Sequence, residues 1–137
     1  MSIEWNARYA IGVPQIDEQH KELIEKFSNY MKVCAKGNQQ DEIVKMLTFL
    51  EKYVEKHFND EEELQTQIKY PKFQQHLNAH MEYKAKIKKL KTEIENEHLS
   101  ITTIITTNKE ILRWIINHIG KMDNEIAEYI KQNNIKV

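Results

Sequence analysis

Apolar side chains recur at helical spacing in four segments of the chain, separated by short polar breaks. The first segment covers about residues 17–35, with Asp17 as a predicted N-cap and Gly37 just past its end. The others cover about residues 41–65, 71–97 and 100–132. Pro71 suits the first turn of the third segment, and Ser100 is the predicted N-cap of the fourth. The pattern therefore predicts four helices.

One stretch of the fourth segment conflicts with this interpretation on propensity alone. From Ile101 to Thr107 the sequence is an unbroken run of isoleucine and threonine, which is typical of a strand. A single strand would find no pairing partner elsewhere in the chain. We therefore predict that this run is helical.

The sparse turn residues support long helices. The 137-residue chain has only 3 glycines and 2 prolines, too few for a many-stranded sheet. Four amphipathic helices with short connections predict an all-α, antiparallel up-down-up-down four-helix bundle, formed as a single domain over residues 1–137. Residues 1–16 are predicted to form an extended N-terminal arm. The arm's apolar residues should pack across the bundle, and they are Trp5, Tyr9, Ile11 and Val13.

Charge and cysteine content narrow the partners and the compartment. Lys and Arg total 20 against 21 for Asp and Glu, a balance that argues against nucleic acid or an anionic membrane as partner. No segment approaches a membrane span, and no signal peptide is apparent. Cys34 is the only cysteine, which excludes an intramolecular disulfide and a cysteine-based metal site. A cytoplasmic protein is the expectation.

The predicted inward faces carry polar groups that an ordinary core would exclude. Among the six histidines, only His98 lies off these faces. The inward polar residues are His20, His57, Glu61, His76, His80 and His118. Burying one such neutral group without a partner costs about 2–7 kcal/mol, and a charge costs more. A set drawn from all four helices therefore indicates a shared partner, and a metal site is the simplest one.

Spacing supports the same interpretation. His57 and Glu61 are four residues apart, as are His76 and His80, so each pair emerges on one face of its helix. Five imidazoles with one or two carboxylates exceed the four ligands of a single structural zinc, which implies two ions. Ligands of this type without thiolate suit iron, manganese, zinc or copper.

Asp123 fits the pattern less well than the other candidates. It follows His118 by five residues, a rotation of about 140° away from that side chain on a regular α-helix. The inward position there belongs to Met122. Spacing alone therefore leaves two alternatives open: Asp123 faces solvent, or the helix is distorted near Gly120, for instance by a one-residue bulge.

The motifs around these candidate ligands resemble those of a known family. The segment Gly12-Val13-Pro14-Gln15-Ile16-Asp17-Glu18-Gln19-His20 resembles the entry motif of hemerythrins. His57 to Glu61 resembles the family's HxxxE, His76 to His80 its HxxxH, and His118 to Asp123 its HxxxxD. The resemblance covers nearly the whole chain and is strongest to single-domain bacteriohemerythrins.

The resemblance implies a non-haem di-iron centre with a bridging oxo or hydroxo group. Its implied metal ligands are His20, His57, Glu61, His76, His80, His118 and Asp123. Glu61 and Asp123 would bridge the ions, and His20 with His57 would hold the iron that has an open position for O2. The apolar residues expected around that position are Leu23, Ile24, Phe58, Ile115 and Ile119.

Three functions follow from this interpretation. The first is reversible O2 binding for storage, delivery or scavenging, with dioxygen as the partner and no enzymatic role. The second is an O2 or redox sensing module, although 137 residues leave no room for an output domain. The third is a di-iron enzyme or iron-handling protein acting on O2, peroxide or nitric oxide. Ferritin-like enzymes use Glu-x-x-His motifs, which are missing from the inward faces here, so reversible binding is favoured.

Overall fold

The described chain is built almost entirely of helices. The computed structural model describes residues 3–37, 39–96 and 100–137. The first three helices are α1 (Pro14–Cys34), α2 (Gln39–Gln67) and α3 (Phe73–Asn96). The fourth helix of the bundle consists of α4 (Ile101–Trp114), a π-helical segment (Ile115–Met122) and α5 (Asp123–Gln132), which follow one another without a break. The all-α four-helix bundle predicted from the sequence is confirmed. His98 and the predicted end of the third helix at residue 97 lie outside the described residues.

Three helices start at other residues than predicted. α2 begins at Gln39 rather than at about residue 41. α1 begins at Pro14 with Val13 as its N-cap, so Asp17 lies inside the helix. Proline is favoured at the first helical position because its fixed φ suits the helix and it has no N–H to leave unpaired. α3 begins at Phe73 rather than Pro71, because the N–H of Phe73 donates to the carbonyl of Tyr70 and closes a turn there.

The start of the fourth helix is as predicted. The Ser100 side chain accepts a hydrogen bond from the Thr103 N–H at 3.1 Å, and the run from Ile101 to Thr107 is α-helical. The N-cap and the packing of Ile104 and Thr107 against the bundle therefore outweigh the strand propensity of the run.

The N-terminal arm packs on the bundle, as predicted. Tyr9 and Ile11 are buried, and Ala7–Tyr9 forms a short 3-10 turn. The Asp17 carboxylate accepts hydrogen bonds from the backbone N–H groups of Ile11, at 2.7 Å, and Gly12, at 3.2 Å. Gly12 has φ +86°, which favours glycine, so the chain turns there from the arm into α1. Asp17 thus anchors the arm.

The apolar core is divided into two clusters. The larger cluster includes Leu23, Phe27 and Phe58, and the smaller one includes Ile16, Leu64 and Ile126. α1, α2 and the fourth helix contribute residues to both clusters, whereas the apolar residues of α3 belong to the larger one. A polar stretch separates the two clusters along each of the three helices that reach both. None of the helices within the described residues is long and apolar enough to cross a membrane.

Candidate metal centre

Seven polar side chains meet at the level that separates the two apolar clusters. All are at most 2% exposed: His20, His57, Glu61, His76, His80, His118 and Asp123. The Nε2 atom of His20 lies 2.9 Å from Oδ2 of Asp123, and that of His57 lies 2.7 Å from Oε1 of Glu61. The structure therefore brings together every side chain that the sequence predicts as a metal ligand.

The two carboxylates occupy the middle of this group. Glu61 Oε1 lies 3.2 Å from His118 Nε2, and Asp123 Oδ1 lies 2.9 Å from His76 Nε2. On the far side, the Nε2 atoms of His80 and His118 are 3.3 Å apart. Each carboxylate thus faces histidines from more than one helix.

The π-helical segment brings Asp123 into the group. Asp123 donates its backbone N–H to the carbonyl of His118, five residues earlier, which is the bond pattern of a π-helix. Residues five apart then lie on the same face, so the side chains of His118 and Asp123 both point inward. The distortion predicted near Gly120 is present, and it extends over Ile115–Met122.

Coordinating atoms form two groups that share one carboxylate. Glu61, His76, His80 and His118 offer atoms within 4.8 Å of one another, and so do His20, His57, Glu61 and Asp123. Asp123 also reaches the first group through His76. The geometry matches two neighbouring cation sites with Glu61 between them.

Unpartnered atoms test whether this donor set fits metal ions. Within the described parts of the chain, five buried atoms of the seven side chains make no hydrogen bond, although some lie close to an opposing atom. One is the outer nitrogen of His118, Nδ1, and four face the interior of the group: His57 Nε2, Glu61 Oε2, His76 Nε2 and Asp123 Oδ1. Leaving a buried polar atom unpaired costs about 1–3 kcal/mol. Metal ions bound between the four inward-facing atoms would satisfy all of them, so this donor set fits bound metal ions.

The carboxylates and imidazoles shift one another's pKa values. Burial raises the pKa of Asp123, but His118 and the other surrounding imidazoles outweigh this and hold it well below its usual range. Burial lowers the pKa of His57, but the charges of Glu61 and Asp123 outweigh this and raise it to about 9. Burial dominates at His80 and lowers its pKa to about 3. The two carboxylates therefore favour positive charge at His57, whereas burial keeps His80 neutral.

The outer nitrogens of four histidines have partners that the sequence did not reveal. His20 Nδ1 donates to the Tyr9 carbonyl at 2.8 Å, and His57 Nδ1 donates to Gln19 Oε1 at 2.8 Å. His80 Nδ1 lies 2.9 Å from a carboxylate oxygen of Glu62. These contacts fix each ring so that Nε2 faces the group.

Gln65 is the partner of His76, the fourth histidine whose outer nitrogen has a partner. Its amide lies against His76 Nδ1, and its Oε1 otherwise has no partner in the described structure. Turning the amide places Oε1 where it accepts from the imidazole N–H. Gln65 continues the four-residue spacing of His57 and Glu61, a signal that could have identified it. Glu62 and Gln19 lie beside inward positions and have no such signal.

The five apolar residues predicted near the open position are fully buried in the larger cluster: Leu23, Ile24, Phe58, Ile115 and Ile119. Phe58 stacks on His80 with ring centroids 3.8 Å apart, while its ring lies 5.9 Å from that of His57. Trp114 stacks on His118 at 5.7 Å. Phe58 therefore covers the three-histidine side most closely.

Fold and site together define a four-helix bundle with a cation site of histidines and carboxylates in its core. The chain matches the family described as Hemerythrin HHE cation binding domain over residues 11–130. It belongs to the hemerythrin family.

The chain is similar to proteins named bacteriohemerythrin and myohemerythrin. The chain is 26% identical to a bacteriohemerythrin of Stenotrophomonas maltophilia, over 93% of this chain and 80% of that protein. It is 30% identical to a bacteriohemerythrin of Campylobacter jejuni, over 85% of this chain and 86% of that protein. It is 24% identical to a myohemerythrin of Theromyzon tessulatum, over 88% of this chain and 87% of that protein.

Proposed function

We propose that the seven-residue group binds two non-haem iron ions and that the iron pair binds O2 reversibly. The observation that carries the proposal is the pair of overlapping donor groups that share Glu61. A bound iron pair supplies the electrons that reversible O2 binding requires. The protein side chains would hold the two ions and surround the O2 position.

The two ions would have different numbers of histidines. One ion would be held by three histidines, His76, His80 and His118, and the other by two, His20 and His57. Glu61 and Asp123 lie between the two groups and would bridge the ions. With fewer protein donors, His20 and His57 would leave room for a small ligand on the ion that they hold.

The surroundings of the group support binding rather than turnover. Leu23, Ile24, Ile115 and Ile119 present only hydrocarbon, and all are completely buried. The nearby Tyr53 hydroxyl is engaged, because it donates to the Gln19 carbonyl at 2.7 Å. Burial also holds its pKa well above the usual range. Hydrocarbon around the group, with the Tyr53 hydroxyl engaged, would slow the delivery of protons to bound O2, so we propose that the protein binds O2 without an enzymatic role.

The wider setting follows from the same proposal. Dioxygen is the partner that the site requires, and the balanced net charge of the chain argues against nucleic acid as a partner. A cytoplasmic location agrees with a chain whose one cysteine, Cys34, is buried and free.

The test is an optical spectrum of the iron(II)-loaded protein before exposure to O2, after exposure, and after O2 is removed. We expect a coloured form that bleaches when O2 is removed. An immediate and irreversible oxidised spectrum would reject reversible binding and favour oxidation of iron, peroxide or nitric oxide at the same centre. The Glu61→Ala protein is the control for colour that does not arise from a bridged pair.

A further inference from the structure

The histidines of the two donor groups differ in the charge of their outer partners. On the two-histidine side, both Nδ1 contacts end on uncharged oxygens, the Tyr9 carbonyl and the Gln19 amide. On the three-histidine side, His80 Nδ1 contacts the carboxylate of Glu62. His76 Nδ1 meets the uncharged Gln65 amide there, and His118 Nδ1 has no hydrogen-bond partner among the described residues. Glu62 is the nearest charged partner of any outer nitrogen in the described structure.

The Glu62 contact has the geometry of a strong hydrogen bond. The Nδ1 to Oε2 distance is 2.9 Å, and the His80 ring is buried against Phe58. Glu62 itself is partly exposed, at 26% of its side chain, so the carboxylate can remain hydrated on its outer side. Hydrogen bonds to a charged acceptor are about twice as strong as neutral ones.

On the two-histidine side, the carboxylate of Asp60 reaches His57 only through the intervening side chain of Gln19. Gln19 donates its Nε2–H to Asp60 Oδ2 at 2.6 Å, while its Oε1 accepts from His57. The amide therefore separates the charge of Asp60 from the imidazole. The two sides of the centre therefore differ in the outer partners of their histidines as well as in the number of histidines.

A carboxylate on Nδ1 makes the opposite nitrogen a better donor. The N–H···O⁻ bond draws the proton outward and increases the electron density at Nε2, which faces the metal. It also fixes the tautomer and the ring orientation before a metal ion arrives. Loss of such a partner typically weakens metal binding by about 10–100-fold.

We propose that Glu62 is a positioning residue that makes the site of His76, His80 and His118 the stronger of the two ion sites, so that the ion there is the last to leave. The inference rests on the proposed paired metal centre, but it requires no O2 binding.

The test uses the full-length protein loaded with two equivalents of cobalt(II) and challenged with excess chelator. Wild type should release cobalt in two phases. Glu62→Gln keeps an acceptor for His80 without the charge and should speed the slow phase by about tenfold, and Glu62→Ala should speed it by up to about 100-fold. The fast phase should stay unchanged in both variants. Glu63→Gln removes a charge from the neighbouring exposed position and should change neither phase.

Gln19→Leu supplies the reciprocal comparison, because it removes the partner of His57 and should speed only the fast phase. Circular dichroism of each variant verifies that the bundle is intact. Equal acceleration of both phases by Glu62→Gln, or no acceleration of the slow phase, would overturn the proposal, as would a single phase in wild type. Loss of the reversible O2 spectrum with two cobalt phases retained would reject the proposed function and leave this inference standing.

Discussion

Asp123 follows His118 by five residues, yet its Oδ1 atom lies 3.3 Å from the Nε2 atom of His118. On a regular α-helix these side chains would diverge by about 140°. The π-helical segment Ile115–Met122 removes that divergence. The backbone therefore departs from α-helical geometry where a donor must be added to the group.

Glycine at position 120 is not required by the π-helical segment. A Cβ added at Gly120 would lie 3.6 Å from Tyr9 Cε1, an ordinary contact, and its φ is not positive. We expect Gly120→Ala to raise the free energy of unfolding by about 0.4–1 kcal/mol, because alanine restricts the unfolded chain. Urea unfolding measures the effect, and iron content should stay the same. A loss of stability or of iron would mean that the segment needs the flexibility of glycine.

Removing Glu61 should eliminate the paired centre. Among the described residues, its carboxylate is the one that belongs to both donor groups. We expect Glu61→Ala to fall from two irons per chain to one or none, with loss of the spectrum of the pair. Iron analysis and absorption spectra measure this. Glu63→Ala, at an exposed position on the same helix, is the control, and two irons with an unchanged spectrum in Glu61→Ala would refute the bridging role.

A hydroxyl in the apolar surroundings should shorten the life of bound O2. Ile119 is fully buried beside His118 in the larger apolar cluster, and Ile126 is equally buried in the smaller one. Ile119→Thr and Ile126→Thr should each lose about 1–3 kcal/mol of stability. Only Ile119→Thr should speed oxidation of the O2-bound form, because it admits a polar group and water next to the iron pair. Decay of the absorption band measures the rate, and equal rates in both variants would show that the pocket does not protect O2.

Alkaline pH should destabilise the iron-free protein. The pKa of His57 is about 9 in the folded chain against 6.5 in the unfolded chain. Its contribution is therefore full below pH 6.5 and is lost as pH rises through 9. The slope is at most about 1.4 kcal/mol per pH unit for one proton. Urea unfolding from pH 6.5 to 10 should show this fall, and His57→Gln should flatten it. Constant stability of iron-free wild type across this range would contradict the charge assigned to His57.

Acid should remove the iron. Imidazole must be deprotonated to bind a metal, so protons compete with iron at five histidines as pH falls through their range. His80 adds to acid sensitivity of the iron-free fold, since its folded pKa of about 3 lies below the unfolded value. That contribution is present above pH 6.5 and is lost as pH falls toward 3. Iron retention after gel filtration at stepped pH gives the measurement, and full retention well below pH 4 would argue against histidine ligands.

The inward positions could be predicted because the spacing of apolar residues along a helix shows which of its faces is buried. The four helices and the meeting of His20, His57 and His76 follow from that period. Asp123 could be predicted only as a choice between solvent and a distorted helix, since the period alone does not reveal where a backbone bond shifts from four residues to five.

Other features depended on contacts that the period does not encode. Asp17 looks like an N-cap but serves the arm, because Pro14 already starts the helix. Glu62 and Gln19 are residue types typical of hydrated surface positions. Only the packed bundle shows that they reach His80 and His57. Polar residues next to an inward position are ambiguous until the neighbouring helix is in place.

The contact between His20 and Asp123 joins residues 103 positions apart in the chain. If one metal ion holds both, it closes a loop that includes most of the sequence, much as a disulfide would. In the chain-entropy model, closing a loop of about 100 residues restricts the unfolded chain by about 4.7 kcal/mol. That benefit requires the ion to stay bound in the unfolded chain. An ion that leaves on unfolding stabilises through its binding free energy instead, so the midpoint of thermal unfolding would rise with free iron concentration.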